Sequence, residues 1–337
     1  MSDAANQPVI AVVTPTYNRA TLISAALDSV IAQTIDMPVE IAVVDDGSTD
    51  NTAAVMQPYL ETHGKPGGKI HITYTQLNKQ GVVTARNTAI ARTTAPYIAF
   101  LDSDDYWQPD KLAKQLAILQ AQPDVGLVHT SFRYVNEASE ITDDGPQRLD
   151  NPLTGDCLDT LLHEFLVLFS SVMVRRSIVD QAAAAEEHGQ PFDNRWTNSQ
   201  DYDLVLRCAR LSKLAYIAEP LTMYRMHGSH GAMGNLARAF GFHCRVQIDF
   251  VRRYGSAIGI DDAEIKRRVA KFLGGRAESA FWQRQFETSR KLCDLARELG
   301  ADDGRFAAIR RKASRPVWIY RMKDAVDRLF GRKATKT

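Results

Sequence analysis

The 337-residue chain has no apolar run long enough to cross a membrane. Its longest near-continuous stretch, 165–174, is about half of what a spanning helix needs and is broken by Ser170 and Ser171. The first eight residues are polar and lack the basic and apolar parts of a signal peptide, so the expected location is the cytoplasm. Cysteine is scarce. Cys157, Cys208, Cys244 and Cys293 stand far apart with no Cys-x-x-Cys pair, which argues against a zinc cluster or a disulfide framework and fits a reducing compartment. Each is expected to be a buried apolar filler. Net charge is nearly absent at +1, but the total conceals an asymmetry: 310–337 holds ten Lys or Arg against two Asp, a net of +8, leaving −7 elsewhere. A basic terminal segment implies an anionic partner, lipid or nucleic acid, or a solvated tail. What is present, 45% hydrophobic and 24% charged residues, describes a soluble globular protein long enough for a large core and two domains.

The first half alternates short β-branched runs with amphipathic stretches. Strands are expected at 9–13, 40–44, 70–74 and 97–101, with helices at 21–33, 50–61 and 82–92; Leu22, Ile23, Ala26, Leu27, Val30 and Ile31 share one helical stripe, and Thr21 is a candidate N-cap. This β-α-β order predicts an α/β fold with a mainly parallel central sheet, helices on both faces and a ligand crevice at the carboxyl ends of the strands. Glycine is missing from 14–20, where a dinucleotide-binding fold would carry Gly-x-Gly-x-x-Gly, and no Gly-x-x-x-x-Gly-Lys-Ser/Thr loop occurs anywhere. Strands at 126–130, 171–174 and 213–217 and a helix at 203–209 follow. From Leu236 the pattern is almost wholly helical, with candidates at 240–254, 262–286 and 288–299.

Three polar clusters fall at expected carboxyl ends of strands: 15–19, 45–48, and the acidic cluster Asp102, Asp104 and Asp105 that breaks the apolar run ending at Leu101. Loops at one edge of a sheet converge, so the three can face a single ligand. A dense carboxylate cluster suits a hard divalent cation whose shell is completed by phosphate oxygens; a solvated acidic turn is the other reading of Asp-x-Asp taken by itself.

Read together, Thr14-Pro-Thr-Tyr-Asn-Arg19, Asp45-Asp-Gly-Ser48, Ala85-Arg-Asn-Thr-Ala89, Leu101-Asp-Ser-Asp-Asp105, Ser199-Gln-Asp-Tyr-Asp-Leu204 and Tyr224-Arg-Met-His227 resemble the family 2 glycosyltransferases of the GT-A (nucleotide-diphospho-sugar transferase) fold. The resemblance covers roughly 8–232, in the family's order and spacing. It implies a catalytic domain at 1–234; the helical pattern after it, which the resemblance does not cover, is expected to be a C-terminal accessory region with a basic tail at 235–337. It also implies a nucleotide-diphosphate sugar donor, most simply a UDP-sugar, held by Thr16, Tyr17, Arg19, Asp45, Arg86, Asp102 and Ser103. Thr16 and Tyr17 would border the base, Asp45 would accept a hydrogen bond from it, Arg86 would steady base or phosphate, and Asp102 would face the ribose. Asp104 would ligate a divalent cation, Mn²⁺ or Mg²⁺, with His227 as second ligand; an imidazole suits Mn²⁺ better. Asp105 is expected as a supporting carboxylate, and His230 as a surface residue. Asp201 stands at the family's catalytic base, with Gln200 in place of the usual Glu. A carboxylate there can take the proton of an attacking sugar hydroxyl, whereas Asp203 reads as a cap and part of a packed helix.

One base and one cation imply a single displacement with inversion, adding one sugar to a glycan or lipid-linked acceptor in cell-surface polysaccharide synthesis. Processive synthases carry Gln-x-x-Arg-Trp after the base; here Arg195-Trp196 precedes Asp201, and Phe192 stands where the Gln should be. The competing class is a binding module that kept the fold and lost the reaction. A sugar-nucleotide-forming nucleotidyltransferase would need a Gly-rich basic loop after the first strand, and 14–20 lacks it. The acceptor pocket is expected between about Arg133 and Trp196. On a helix, Trp318, Met322, Val326, Leu329 and Phe330 make an apolar stripe with Arg321, Lys323 and Arg328 at other angles. Such a helix would lie on an anionic membrane surface, peripheral at its inner face, or pack on the body or on a second copy in a homodimer. Nucleic acid is not an expected partner.

Overall fold

The computed structural model describes residues 7–142, 153–164, 167–226 and 236–314. The chain divides into two compact units, Met1–Gly231 and Ala232–Thr337. In the first, β1 (Ile10–Thr16), α1 (Ile23–Ile31), β2 (Val39–Asp45), α2 (Thr52–His63), β3 (Ile70–Gln76), α3 (Val82–Ala91) and β4 (Tyr97–Phe100) alternate as the sequence predicts. They are followed by β5 (Tyr106–Trp107), α4 (Lys111–Ala121), β6 (Val125–Val135), α5 (Leu158–Leu161), β7 (Met173–Arg175), α6 (Arg176–Ala184), α7 (Gln200–Leu211) and β8 (Lys213–Arg225).

The eight strands form one sheet in the order β3-β2-β1-β4-β7-β6-β8-β5. β3, β2, β1 and β4 are mutually parallel. β7 runs antiparallel to both β4 and β6, while β6 pairs parallel with β8 and β5 antiparallel with β8. Every residue of β1 is buried, as a central strand covered on both faces requires. Ile23, Ala26, Leu27 and Val30 of α1 pack into the same core. Thr21 does not cap that helix: Leu22 is the cap residue with no side-chain bond, and the Arg19 carbonyl accepts the N–H groups of both Leu22 and Ile23. β6 and β8 run past their predicted ends at 130 and 217, because register shifts around Ser131, which lies opposite Pro220, let both strands bend and continue. Proline is tolerated at such an irregularity.

The second unit, within 236–314, contains α8 (Leu236–Ile258), α9 (Asp262–Trp282), α10 (Phe286–Glu298) and α11 (Arg305–Ala313). Ile265, Val269, Leu273 and Ala277 are buried along one stripe of α9, whose neighbours are α8, α10 and α11. Asp261 caps α9 by accepting the Glu264 N–H at 2.7 Å. All four cysteines are free and buried. Among the described residues no helix is long and apolar enough to cross a membrane. The predicted amphipathic helix at 316–330, and His227 and His230, lie outside the described residues.

Candidate active site

The parallel half of the sheet sets the site. Thr16 lies opposite Asp45 across β1 and β2, and the Leu101 N–H donates to the Val13 carbonyl at 3.1 Å, so the acidic loop leaves the sheet beside the loop after β1. That loop is fastened to the one after β2. The Asn18 N–H donates to Ser48 Oγ at 2.8 Å, the Thr49 N–H to Asn18 Oδ1 at 2.8 Å, and the Arg19 N–H to Thr52 Oγ1 at 3.0 Å. At this edge lies a cavity of about 280 Å³ whose lining includes Thr16, Tyr17, Arg19, Arg86, Asp102, Ser103 and Asp104. Seven of the sequence-predicted residues therefore converge.

Asp45 is fully buried instead of lining the cavity. Its Oδ1 accepts the Ser48 N–H at 2.8 Å and its Oδ2 the Tyr74 hydroxyl; burial and this carboxylate push the Tyr74 phenol well up. Its neighbour Asp46 reaches the cavity and accepts the N–H groups of Gln80 and Gly81 at 2.5 and 2.8 Å. Gly81 is the cap residue before α3 and has φ +93, a positive angle that favours glycine, and α3 carries Arg86. The Asp46 link therefore fixes the entry of the helix that delivers a guanidinium to the site.

Arg86 is buried, donates to Asp102 Oδ1 at 2.6 Å, and lies over Phe169 and Phe192 with its guanidinium carbon 4.8 and 5.6 Å from the ring centroids. Asn87 holds Phe192 by accepting its N–H at 2.9 Å and donating to its carbonyl at 2.8 Å. The Asp102 N–H donates to Ser170 Oγ at 3.2 Å. Asp104 pairs with Arg19 at 3.2 Å. Asp105 is buried and is held well above the usual carboxylate range by loss of water and by Asp104 and Asp102, with the Ser170 hydroxyl and the Arg225 N–H acting the other way. Sequence reasoning gave no role to Asp46, Phe169, Phe192, Ser170 or Arg225. The signals at hand were the second carboxylate of Asp45-Asp46 and the Arg of Tyr224-Arg225.

Asp201 is the second residue of α7, whose cap residue Ser199 adopts φ +62. Its carboxylate accepts the Tyr202 N–H at 2.9 Å. Loss of water raises its pKa above 3.8; Arg86 and the Tyr202 N–H oppose the rise and Asp102 adds to it, so Asp201 shares an electrostatic environment with the cavity. Asp203 does not cap α7: it is buried and pairs with Arg207 at 2.7 Å.

Asp102 and Asp104 present oxygen donors at the cavity, with side chains 37% and 21% exposed. Among the described residues no three His, Cys, Asp or Glu side chains gather into a metal site. Two carboxylates at the mouth of a cavity fit a hard cation that takes the rest of its shell from a ligand's phosphate oxygens.

Residues 11–181 match Glycosyl transferase family 2. An uncharacterized glycosyltransferase of Nostoc sp. is 32% identical over 231 residues, covering 66% of each chain. The putative teichuronic acid biosynthesis glycosyltransferase TuaG of Bacillus subtilis is 41% identical over 113 residues, 34% of this chain and 42% of TuaG. The chain thus spans two thirds or less of these relatives. In structure it resembles S. aureus TarS 1–349 in complex with UDP-GlcNAc, with a TM-score of 0.62 at 16% identity over 89% of this chain and 83% of that one, which gives it the GT-A fold that the sequence predicts. With the family match covering half of its length, the chain belongs to glycosyl transferase family 2.

Proposed function

We propose that this protein is an inverting, cation-dependent glycosyltransferase that moves one sugar from a nucleotide-diphosphate donor, a UDP-sugar, to a glycan or lipid-linked acceptor in cell-surface polysaccharide synthesis. The observation that carries this reading is the convergence of Asp102, Asp104, Arg19 and Arg86 on one cavity at the carboxyl edge of the sheet, with Asp201 in electrostatic reach of Arg86 and Asp102. TuaG's part in teichuronic acid biosynthesis and the UDP-GlcNAc bound by TarS agree with such a donor and product.

In this mechanism Thr16 and Tyr17 border the base, and the Lys79 ammonium lies 5.1 Å from the Tyr17 ring centroid. Asp45 shapes that edge through Ser48 and Tyr74. Asp102, oriented by Arg86, takes the ribose beside Ser103, and Arg19 faces the phosphates. Asp104 and His227 would hold a divalent cation, which when bound supplies neutralisation of the charge on the departing diphosphate. Asp201 removes the proton of the acceptor hydroxyl, and its raised pKa makes it a stronger base than a free carboxylate. The catalytic machinery is assigned to 1–234, and 235–337 to an accessory role, with the basic 310–337 segment on an anionic membrane at its cytoplasmic face.

The test is to incubate the full chain with UDP- and GDP-sugars and Mn²⁺ or Mg²⁺, following nucleoside diphosphate release and the anomeric configuration of the product. Release from a UDP-sugar with inversion is expected. Transfer at the parent rate by both Asp104→Ala and Asp201→Asn would overturn the mechanism, and a protein that only binds would release nothing. Sedimentation with phosphatidylglycerol but not with phosphatidylcholine vesicles is the expected result for the membrane assignment.

A further inference from the structure

Arg225 ends β8, is only 3% exposed and does not line the cavity. Its N–H donates to Asp105 Oδ1 at 3.0 Å and its Nε to the Asp104 carbonyl at 2.9 Å. Nη1 donates to the carbonyls of Asn136 and Glu137 at 2.9 and 2.8 Å and to Ser139 Oγ at 3.0 Å. The guanidinium carbon stands 5.4 Å from the Tyr106 ring centroid. One residue therefore joins three segments far apart in sequence: the acidic loop, the end of β8 and the turn after β6. That turn is itself built, with the Ser139 N–H donating to the Asn136 carbonyl at 3.0 Å and the Asn136 N–H to the Glu140 carbonyl at 2.9 Å.

A guanidinium taken out of water is tolerated when its donors are satisfied, and here main-chain carbonyls do most of that work. The arrangement is directional. Two atoms of Arg225 grip 104 and 105 through a carbonyl and the neighbouring carboxylate, while the Asp104 carboxylate itself meets Arg19 at the cavity. Lysine keeps the main-chain N–H on Asp105, but its single compact ammonium cannot replace both the Nε contact to the Asp104 carbonyl and the Nη1 contacts to the turn.

We propose that Arg225 is the positioning residue for Asp104, fixing the backbone of the acidic loop so that this carboxylate is presented to a cation and diphosphate, and tying that presentation to the turn at 136–139. The inference rests on the assignment of Asp104 to the cation.

The experiment is Mn²⁺ binding to the full chain, read from the paramagnetic resonance signal of the free ion, in separate titrations with UDP and with GDP. Arg225→Lys is expected to weaken Mn²⁺ binding about tenfold or more, as loss of a group that orients a ligand does, and Arg225→Ala further. If Arg225→Ala does not fold, Arg225→Lys and Ser139→Ala carry the test, with a smaller loss in Ser139→Ala. Asp104→Ala separates the two levels of the claim. If it binds Mn²⁺ as the parent does, the cation assignment and this inference both fall. If it loses Mn²⁺ while Arg225→Lys keeps parent affinity despite a lower melting temperature, Arg225 is merely structural and only the positioning claim is overturned.

Discussion

The Arg86 guanidinium donates to Asp102 at 2.6 Å from a buried seat over Phe169 and Phe192. Its only partnered nitrogen among the hydrogen bonds described is the one on Asp102, so its orientation depends on the aromatic faces as much as on the carboxylate. Arg86→Ala is expected to cost about 2 kcal/mol, less than for a fully buried pair because the Asp102 side chain is 37% exposed. Arg86→Lys should keep more of the stability but lose the planar stacking, so donor KM rises while the melting temperature falls little. Thermal unfolding and donor titration of the two variants check both statements.

Asp201 should impose an acid limb on kcat. A base works only when ionised, so activity falls as pH drops through its pKa, which lies above the ordinary 3.8. Arg86 opposes that rise, and removing its charge should therefore move the limb to higher pH. The Arg86→Gln pH profile, compared with the parent, tests the direction. Asp201→Asn should lower kcat about 10²- to 10⁴-fold, the usual contribution of a positioned general base.

The parallel half of the fold was legible because its strands are short apolar runs rich in β-branched residues, and because α1 buries Ile23, Ala26, Leu27 and Val30 along one stripe. What escaped lay beyond local pattern. β5, only Tyr106–Trp107, is too short to show a period, and β8 continues through Pro220 only because β6 shifts register opposite it. Asp45 and Asp46 differ by parity: adjacent residues leaving a strand face opposite ways, so Asp46 reaches the cavity while Asp45, the residue the family resemblance named, turns to Ser48 and Tyr74. Asn87 and Phe192, joined by two hydrogen bonds, are 105 residues apart, a separation for which no spacing rule exists. The site's residue types could be read from the chain, but their aromatic and main-chain supports could not.

His129 is buried against Tyr216, its ring centroid 4.9 Å from that of the phenol, and desolvation lowers its pKa to about 4. Unfolded, it titrates near 6.5. Between these values the unfolded chain binds a proton that the native state does not, so stability is intact above about 6.5 and declines as pH falls toward 4. At about 1.4 kcal/mol per pH unit the loss approaches about 3 kcal/mol. His129→Gln carries its own packing cost at every pH, but the gap between variant and parent should narrow by about that amount on acidification. Urea unfolding of the full chain at pH 7 and at pH 4 to 5 measures it, and a constant gap would refute the assignment.

Asp203 and Asp201 differ by two positions on α7 and should differ entirely in what their loss does. Asp203 and Arg207 are 1% and 0% exposed, paired at 2.7 Å one helical turn apart, the i, i+4 spacing at which such pairs form. Arg207 also donates to the carbonyls of Ala182 and Pro191 at 3.2 and 2.5 Å, so the pair fastens α7 to the segment that precedes Phe192. Removing Asp203 leaves the buried Arg207 facing the more distant carboxylate of Glu186 at 3.9 Å, so Asp203→Ala is expected to cost about 3 kcal/mol, the low end for a broken buried pair. The folded fraction should nevertheless keep the parent's acid limb, because the proton acceptor is untouched. Asp201→Asn, relieved of a carboxylate that burial penalises, should melt at or above the parent temperature while losing transfer. Melting curves and single-turnover rates for the two variants separate these outcomes, and an acid limb that vanished in Asp203→Ala would reassign the base.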